Sequence, residues 1–85
     1  MTGQTAARDL VEFLCRALAS DPDSVRVEEV PDDGGVVIEV SVDDGDLGRL
    51  IGRGGRVANA IRTVAKAAAR AGGGERRVLV EFVED

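Results

Sequence analysis

The sequence predicts an α+β fold whose elements follow in the order α-β-β-α-α-β. Two long segments place apolar residues three and four positions apart, three short segments alternate apolar and polar residues, and a glycine-rich break precedes the second long segment. A chain of 85 residues is long enough for one compact core. We therefore expect a single domain over residues 1–85, with an ordered core of about 5–84.

The first predicted element is an amphipathic helix over residues 5–19, which the Ser20-Asp21-Pro22 sequence ends. Cys15 lies at the border of its apolar stripe, where we expect a half-buried core thiol without a function of its own. A single cysteine cannot form an internal disulfide, so packing alone must hold the fold. The predicted buried stripe consists of Ala6, Leu10, Phe13, Leu14, Ala17 and Leu18.

Three half-buried strands are predicted over residues 24–30, 36–42 and 77–83. The proline and glycines of residues 31–35 favour a tight connection between the first two strands, which we expect to form an antiparallel hairpin. The alternating apolar positions of the second and third strands are Val36, Ile38, Val40, Val42, Val78, Val80 and Phe82.

Two helices are predicted around the glycine-rich loop. A short one over residues 47–51 follows a run of aspartates that can cap a helix, and a longer one covers residues 56–71 before three glycines stop it. The apolar stripe predicted for the longer helix consists of Val57, Ile61, Val64 and Ala68, flanked by Ala60, Ala65 and Ala67.

Charge is distributed unevenly along the chain, whose net charge is −5. Residues 1–47 carry three basic and twelve acidic side chains, whereas residues 48–80 carry eight basic side chains and only Glu75 as an acid. This asymmetry indicates one anion-facing surface on an acidic body. Three basic residues follow each other at four-residue spacing: Arg62, Lys66 and Arg70. This stripe is compatible with three roles: a row of phosphate contacts, a docking face for an acidic partner, or an ordinary solvated face.

The composition argues against several classes of function. The chain has no histidine, and its few serines have no evident activating partner, so we expect neither catalysis nor a metal or organic cofactor. Only two aromatic residues are present, which disfavours an RRM or a cold-shock fold that stacks bases on aromatic rings. The absence of a long apolar segment and of a leader leads us to expect a soluble, cytoplasmic protein.

The loop Gly52-Arg53-Gly54-Gly55 carries the chemistry we expect. Residues without a Cβ atom let a phosphate approach the backbone, and the helix that begins at Arg56 directs unpaired N–H groups and its positive dipole end to the same place. Arg53 and Arg56 add positive charge. The dinucleotide-binding fingerprint Gly-x-Gly-x-x-Gly does not fit, because its third small residue would be position 57, which is Val. A Walker loop does not fit either, because no Gly-Lys-Ser/Thr sequence occurs.

The segment Leu50 to Ile61 resembles the KH signature of an apolar residue, Ile, Gly-x-x-Gly and an apolar helix start. Together with the order of elements, it resembles a type II KH domain, and in particular the KhpA family of small stand-alone bacterial KH proteins. The resemblance implies a three-stranded mixed sheet packed by helices on one face. It also implies single-stranded RNA as the ligand and a role as an RNA chaperone or post-transcriptional regulator.

The resemblance further implies a shallow groove in which the loop clamps the RNA backbone. The candidate RNA-binding residues are Arg49, Ile51, Gly52, Arg53, Gly54, Gly55, Arg56, Ala58, Asn59 and Arg62, with Val57 and Ile61 as groove floor or core. The alternative is a protein-interaction module with little RNA affinity, since members of this family are described as forming homodimers and as pairing with a larger KH protein of the KhpB (Jag or EloR) kind.

Overall fold

A computed structural model describes the backbone of residues 3–73 and 77–84, and the side chains of residues 6–73 and 77–84. The order α-β-β-α-α-β and the α+β class are confirmed. The helices are α1 (Gly3–Leu18), α2 (Asp44–Ile51) and α3 (Arg56–Ala71), and the strands are β1 (Arg26–Asp32), β2 (Gly35–Val42) and β3 (Arg77–Glu84). Single 3₁₀ turns cover Pro22–Ser24 and Arg53–Gly55.

The sheet has the strand order β1-β2-β3 and is mixed. β1 and β2 form the expected antiparallel hairpin, and β2 pairs with β3 in parallel. The hairpin is tighter than predicted, because Asp32 pairs with Gly35 and only Asp33 and Gly34 remain in the turn. Gly34, the second residue of the turn, takes a positive φ of 73°, which glycine adopts without a steric cost.

The core lies between the sheet and the helices, which cover one sheet face. Alternation in the strands places the buried side chains as predicted, since Ile38, Val40 and Val42 are fully buried and Val78 and Val80 are nearly so. Leu50 brings α2 into the same cluster. Among the described residues, no helix is long and apolar enough to cross a membrane.

The predicted buried stripe of α1 is wrong by about one position. The fully buried residues are Ala7, Val11 and Cys15, whereas Phe13 is 68% exposed and Leu18 is 43% exposed. Because α1 is apolar on two adjacent sides, periodicity alone does not decide which side packs; the stripe of smaller residues lets α1 approach the sheet and α3 closely. Cys15 is therefore fully buried, not half-buried, and burial raises the pKa of its thiol to about 11.

The same shift occurs in α3. Its buried residues are Ala58, Ile61, Ala65 and Ala69, so that only Ile61 of the predicted stripe is fully packed, and Val64 is 41% exposed. In an alanine-rich helix the packing partner decides the buried side, because alanine contributes a similar small area wherever it lies. α1 and α3 pack side by side and leave an apolar surface on their outer side.

Candidate nucleic-acid interface

The position of α2, which leads into the glycine loop, depends on one buried carboxylate. Asp46 is 2% exposed and accepts hydrogen bonds from the Ser20 N–H and Oγ, both at 2.8 Å, and from the Asp21 N–H at 3.1 Å. The Ser20 N–H, the Ser20 hydroxyl and the Asp21 N–H favour the ionised form and lower the pKa of Asp46. These bonds tie the first turn of α2 to the end of α1 and so fix where the loop begins.

Gly52 is the structural glycine of the loop. Its φ of 75° and ψ of 171° lie in a region that only glycine adopts readily. A Cβ atom built here would lie 2.5 Å from Val57 Cγ2 and 2.9 Å from the Val57 nitrogen. The Gly52 N–H donates to the Gly48 carbonyl at 2.9 Å and thereby caps α2. The chain can therefore turn from α2 into α3 within four residues only with glycine at this position.

Gly54 and Gly55 have a different environment. Both adopt left-handed conformations, with φ of 64° and 79°, and a Cβ atom on Gly54 would meet no atom within 4 Å. The Gly55 N–H donates to the Gly52 carbonyl at 3.1 Å. The N–H groups of Gly52 and Gly55 are thus both used inside the protein, whereas the space beside the Gly54 backbone, where a Cβ atom would stand, is open.

Positive charge surrounds the loop. Arg53 and Arg56 are exposed, and neither forms an ion pair with a described carboxylate. Arg49, one turn before the loop, has a 62% exposed side chain and lies 3.6 Å from the Asp46 carboxylate. The described loop residues can therefore offer an anion an accessible backbone at Gly54 and two unneutralised guanidinium groups, at the N-terminus of the 16-residue helix α3.

The other residues predicted for the site are spread over three environments. Ile51 is 36% exposed at the end of α2, and the exposed Asn59 and half-buried Arg62 lie on α3 toward β3. Ala58 is only 2% exposed and Ile61 only 3%, so both belong mainly to the core. Most of the apolar surface near the loop is provided elsewhere, on the side of α3 that faces α1.

That surface is an open apolar groove of about 340 Å³ between α1 and α3. Leu14 and Leu18 line one side, and Val57, Ala60 and Val64 are among the residues that line the other. Leu18 is 43% exposed and Val64 is 41% exposed. An exposed apolar surface of this kind is typical of a protein-interaction site.

The outer face of the sheet, which none of the described helices covers, has the opposite charge. The register places Glu28 opposite Glu39 and Glu39 opposite Glu81, which forms a row of three carboxylates across the three strands. Like charges directly opposite each other destabilise a sheet, so this arrangement has an energetic cost. The basic residues of α3 and the glutamate row therefore lie on opposite sides of the molecule.

Two contacts at the candidate site were not predicted from the sequence. The bonds of Asp46 link positions about 25 residues apart, and Arg62 lies over Phe82 with its guanidinium carbon 5.5 Å from the ring centre. The only signal in the sequence was an acid inside a short helix and an aromatic residue in the last strand. Neither pattern indicates a partner without the fold.

The order of elements, the mixed three-stranded sheet and a glycine loop joining two helices define a KH domain of type II. The family model described as "KhpA/KhpB, KH domain" matches residues 8–81. The chain therefore belongs to the KhpA/KhpB family of KH domains.

Among the described residues, no group of three metal-ligating side chains is close enough to hold an ion.

Curated relatives agree with this assignment. The chain is 41% identical over 80 residues to the RNA-binding protein KhpA of Aquifex aeolicus, with 94% of this chain and 99% of that protein covered. It is 43% identical over 76 residues to the protein of the same name from Mycobacterium tuberculosis strain H37Rv, with 89% of each covered. A third, from Clostridium perfringens, is 40% identical over 76 residues, with 89% and 99% covered.

The fold is also similar to part of a larger solved protein. A crystal structure of a variant of Aquifex aeolicus Era bound to GDP and AlF4⁻ superposes with a TM-score of 0.61 and 24% sequence identity. The match covers 99% of this chain and 31% of that protein. At this identity the likeness concerns the fold alone.

Proposed function

We propose that this protein binds single-stranded RNA by clamping its backbone at the loop Gly52–Gly55. The observation that carries the proposal is the open space beside the Gly54 backbone, next to the exposed Arg53 and Arg56, which form no ion pair with a described carboxylate. Phosphate oxygens accept hydrogen bonds from backbone N–H and guanidinium groups, and the absence of a Cβ atom on Gly54 leaves the backbone accessible. The relatives named RNA-binding protein KhpA support the same ligand.

The candidate residues then have separate roles. Arg53 and Gly54 hold a phosphate, Arg56 and Arg49 contribute charge on either side, and Gly52 and Gly55 give the loop its shape. Ile51, Ala58, Asn59 and Arg62 adjoin the path of the RNA on either side of the loop. Binding of this kind is sequence-tolerant, because most of its contacts go to phosphates.

The decisive experiment is a titration of a short fluorescent single-stranded RNA at low and moderate salt. We expect Arg53→Asp/Gly54→Asp to reduce the affinity at least about tenfold, because it removes a cation and places two carboxylates beside the phosphate. The matched control is Arg26→Asp/Gly45→Asp, with the same charge change on residues away from the loop. Circular dichroism must show both variants folded. Equal binding by the loop variant and the wild type would contradict the proposal.

We further propose that the domain acts as an RNA chaperone or post-transcriptional regulator in the cytoplasm, without catalysis or a cofactor. A strand-annealing assay with two complementary RNAs would test this role. We expect annealing to be faster with the wild type than with the loop variant.

We also propose that the chain forms a single domain with an ordered core of about residues 5–84, which limited proteolysis can test.

A second function, pairing with another KH domain, is supported by the groove between α1 and α3. We propose that this surface forms a homodimer or binds a KhpB (Jag or EloR) type protein. Leu18 and Val64 line it and are 43% and 41% exposed. Light scattering after size exclusion should show a dimer for the wild type and a monomer for Leu18→Ser/Val64→Ser. If both proteins are monomers at all concentrations, the homodimer is excluded; if both are dimers, this groove is not the interface.

A further inference from the structure

Arg62 crosses the cleft between α3 and the free edge of the sheet. Its Nε donates to the Val80 carbonyl at 3.1 Å, and its Nη1 donates to the Asn59 Oδ1 at 3.1 Å. The guanidinium carbon lies 5.5 Å from the centre of the Phe82 ring, within the range of a cation–π contact. Two hydrogen bonds and a ring thus hold the group in one orientation.

This guanidinium differs from the other well-held arginines of the protein. Arg8 and Arg16 are paired with carboxylates of α1, Arg8 with both Asp9 and Glu12. Arg62 is half-buried, and its partners are a carbonyl, an amide and a ring; it forms no ion pair with a described carboxylate. Its charge is therefore not neutralised, although its position is fixed. An arginine has five N–H donors, so that three remain for a ligand.

The fixed group is adjacent to the proposed phosphate clamp. A Cβ atom on Gly55 would lie 3.8 Å from the Asn59 Nδ2, and Asn59 in turn accepts the bond from Arg62. Positions 55, 59 and 62 follow each other along one side of α3. An RNA whose phosphate lies on the loop can therefore place a neighbouring base against Arg62 and the edge of β3.

We propose that Arg62 is a specificity-determining residue that selects guanine or uracil, which carry a carbonyl oxygen at ring position 6 or 4, over adenine, which carries an amino group at position 6. The remaining groups of Arg62 can only donate, and guanine and uracil present carbonyl acceptors on their exposed edges. Adenine has an amino group where guanine has its O6 atom, and that donor would face the donors of Arg62. This inference rests on the proposed RNA binding and adds a base preference to it.

The sharpest test compares single-stranded octamers of adenosine and inosine, which differ at position 6 of the purine by an amino group against a carbonyl oxygen. We expect the wild type to bind the inosine octamer, and likewise a uridine octamer, about five- to tenfold more tightly than the adenosine octamer. Arg62→Lys keeps the charge but loses the planar group. The ratio of the affinity for the inosine octamer to that for the adenosine octamer should therefore fall below about twofold, while the salt dependence of RNA binding stays the same.

The matched control is Arg70→Lys, because Arg70 lies two turns further along α3 and is exposed. It should leave the ratio unchanged. Asn59→Ala, which removes one holder of the guanidinium, should reduce the ratio while the charge remains. If the wild type binds both purine octamers equally, or if Arg62→Lys keeps the full ratio, the inference is wrong. RNA binding that is independent of the loop substitutions would instead contradict the proposed function.

Discussion

Alanine substitutions at the first and third positions of the loop should separate its structural glycine from its accessible one. Gly52→Ala forces a Cβ atom into a conformation with φ of 75° and ψ of 171°, at a cost of about 1–3 kcal/mol. The same atom would lie 2.5 Å from Val57 Cγ2, and overpacking of this kind adds about 1–3 kcal/mol. We therefore expect the free energy of unfolding to fall by about 2–6 kcal/mol.

Gly54→Ala is the comparison, because its Cβ atom meets nothing within 4 Å and only the left-handed φ of 64° is unfavourable. We expect a loss of about 1–2 kcal/mol in stability. The RNA affinity of this variant should nevertheless decrease, because the new methyl group stands where a phosphate approaches the backbone. Urea unfolding followed by far-UV circular dichroism is the assay, since the chain has no Trp or Tyr for fluorescence.

Val57→Ala provides the internal check on this reasoning. It removes the Cγ2 atom that the new Cβ atom at position 52 would meet in the first variant, so Gly52→Ala/Val57→Ala should cost about 1 kcal/mol less than the sum of the single changes. If Gly52→Ala and Gly54→Ala unfold at the same urea concentration, the assignment of strain to Gly52 is refuted.

Three further predictions concern residues outside the loop. Asp46→Asn should destabilise the protein at neutral pH; because the pKa of Asp46 is lowered in the folded state, its contribution is present above about pH 4 and is lost as the pH falls through the folded pKa. Urea titrations from pH 2 to 7 should therefore show a flatter acid limb for the variant, and an unchanged limb would contradict this. Glu39→Gln should stabilise the sheet by about 0.5 kcal/mol for each opposing glutamate, and the gain should shrink in 1 M salt, where exposed charges are screened. Cys15 should not react with a thiol reagent at pH 8 until urea unfolds the protein, because burial raises its pKa to about 11; rapid labelling of the native protein would show that α1 opens.

The sequence determined the elements and their order more reliably than the packing of the helices. Alternation predicted the buried faces of β2 and β3, because a strand has only two faces and only one can meet the helices. In α1, Val11 and Phe13 are both apolar and lie on different sides, and only the tertiary contacts decide that Val11 is buried. The same holds in α3, where alanines surround the helix.

The loop of the candidate site was predictable from the sequence, but its hydrogen bonds and the position of Arg62 were not. Gly52 to Gly55 were identified from composition and spacing, since few other uses explain several glycines between two helices. Which N–H groups of the loop are used inside the protein was not predictable, because the Gly52 N–H caps α2 and the Gly55 N–H closes the loop only in the folded structure. The position of Arg62 over Phe82 depends on how β3 lies beside α3.

The glutamate row on the outer sheet face gives the domain an asymmetric charge distribution, with the basic residues of α3 on the opposite side. A polyanion should attract one side and repel the other, so the domain approaches RNA already turned toward it, and fewer encounters are lost to wrong orientations. Once RNA is bound, the outer sheet face with its glutamate row would still be exposed and would repel further RNA strands. A flexible strand could then not wrap around both sides of the protein, and each domain would engage one strand at a time.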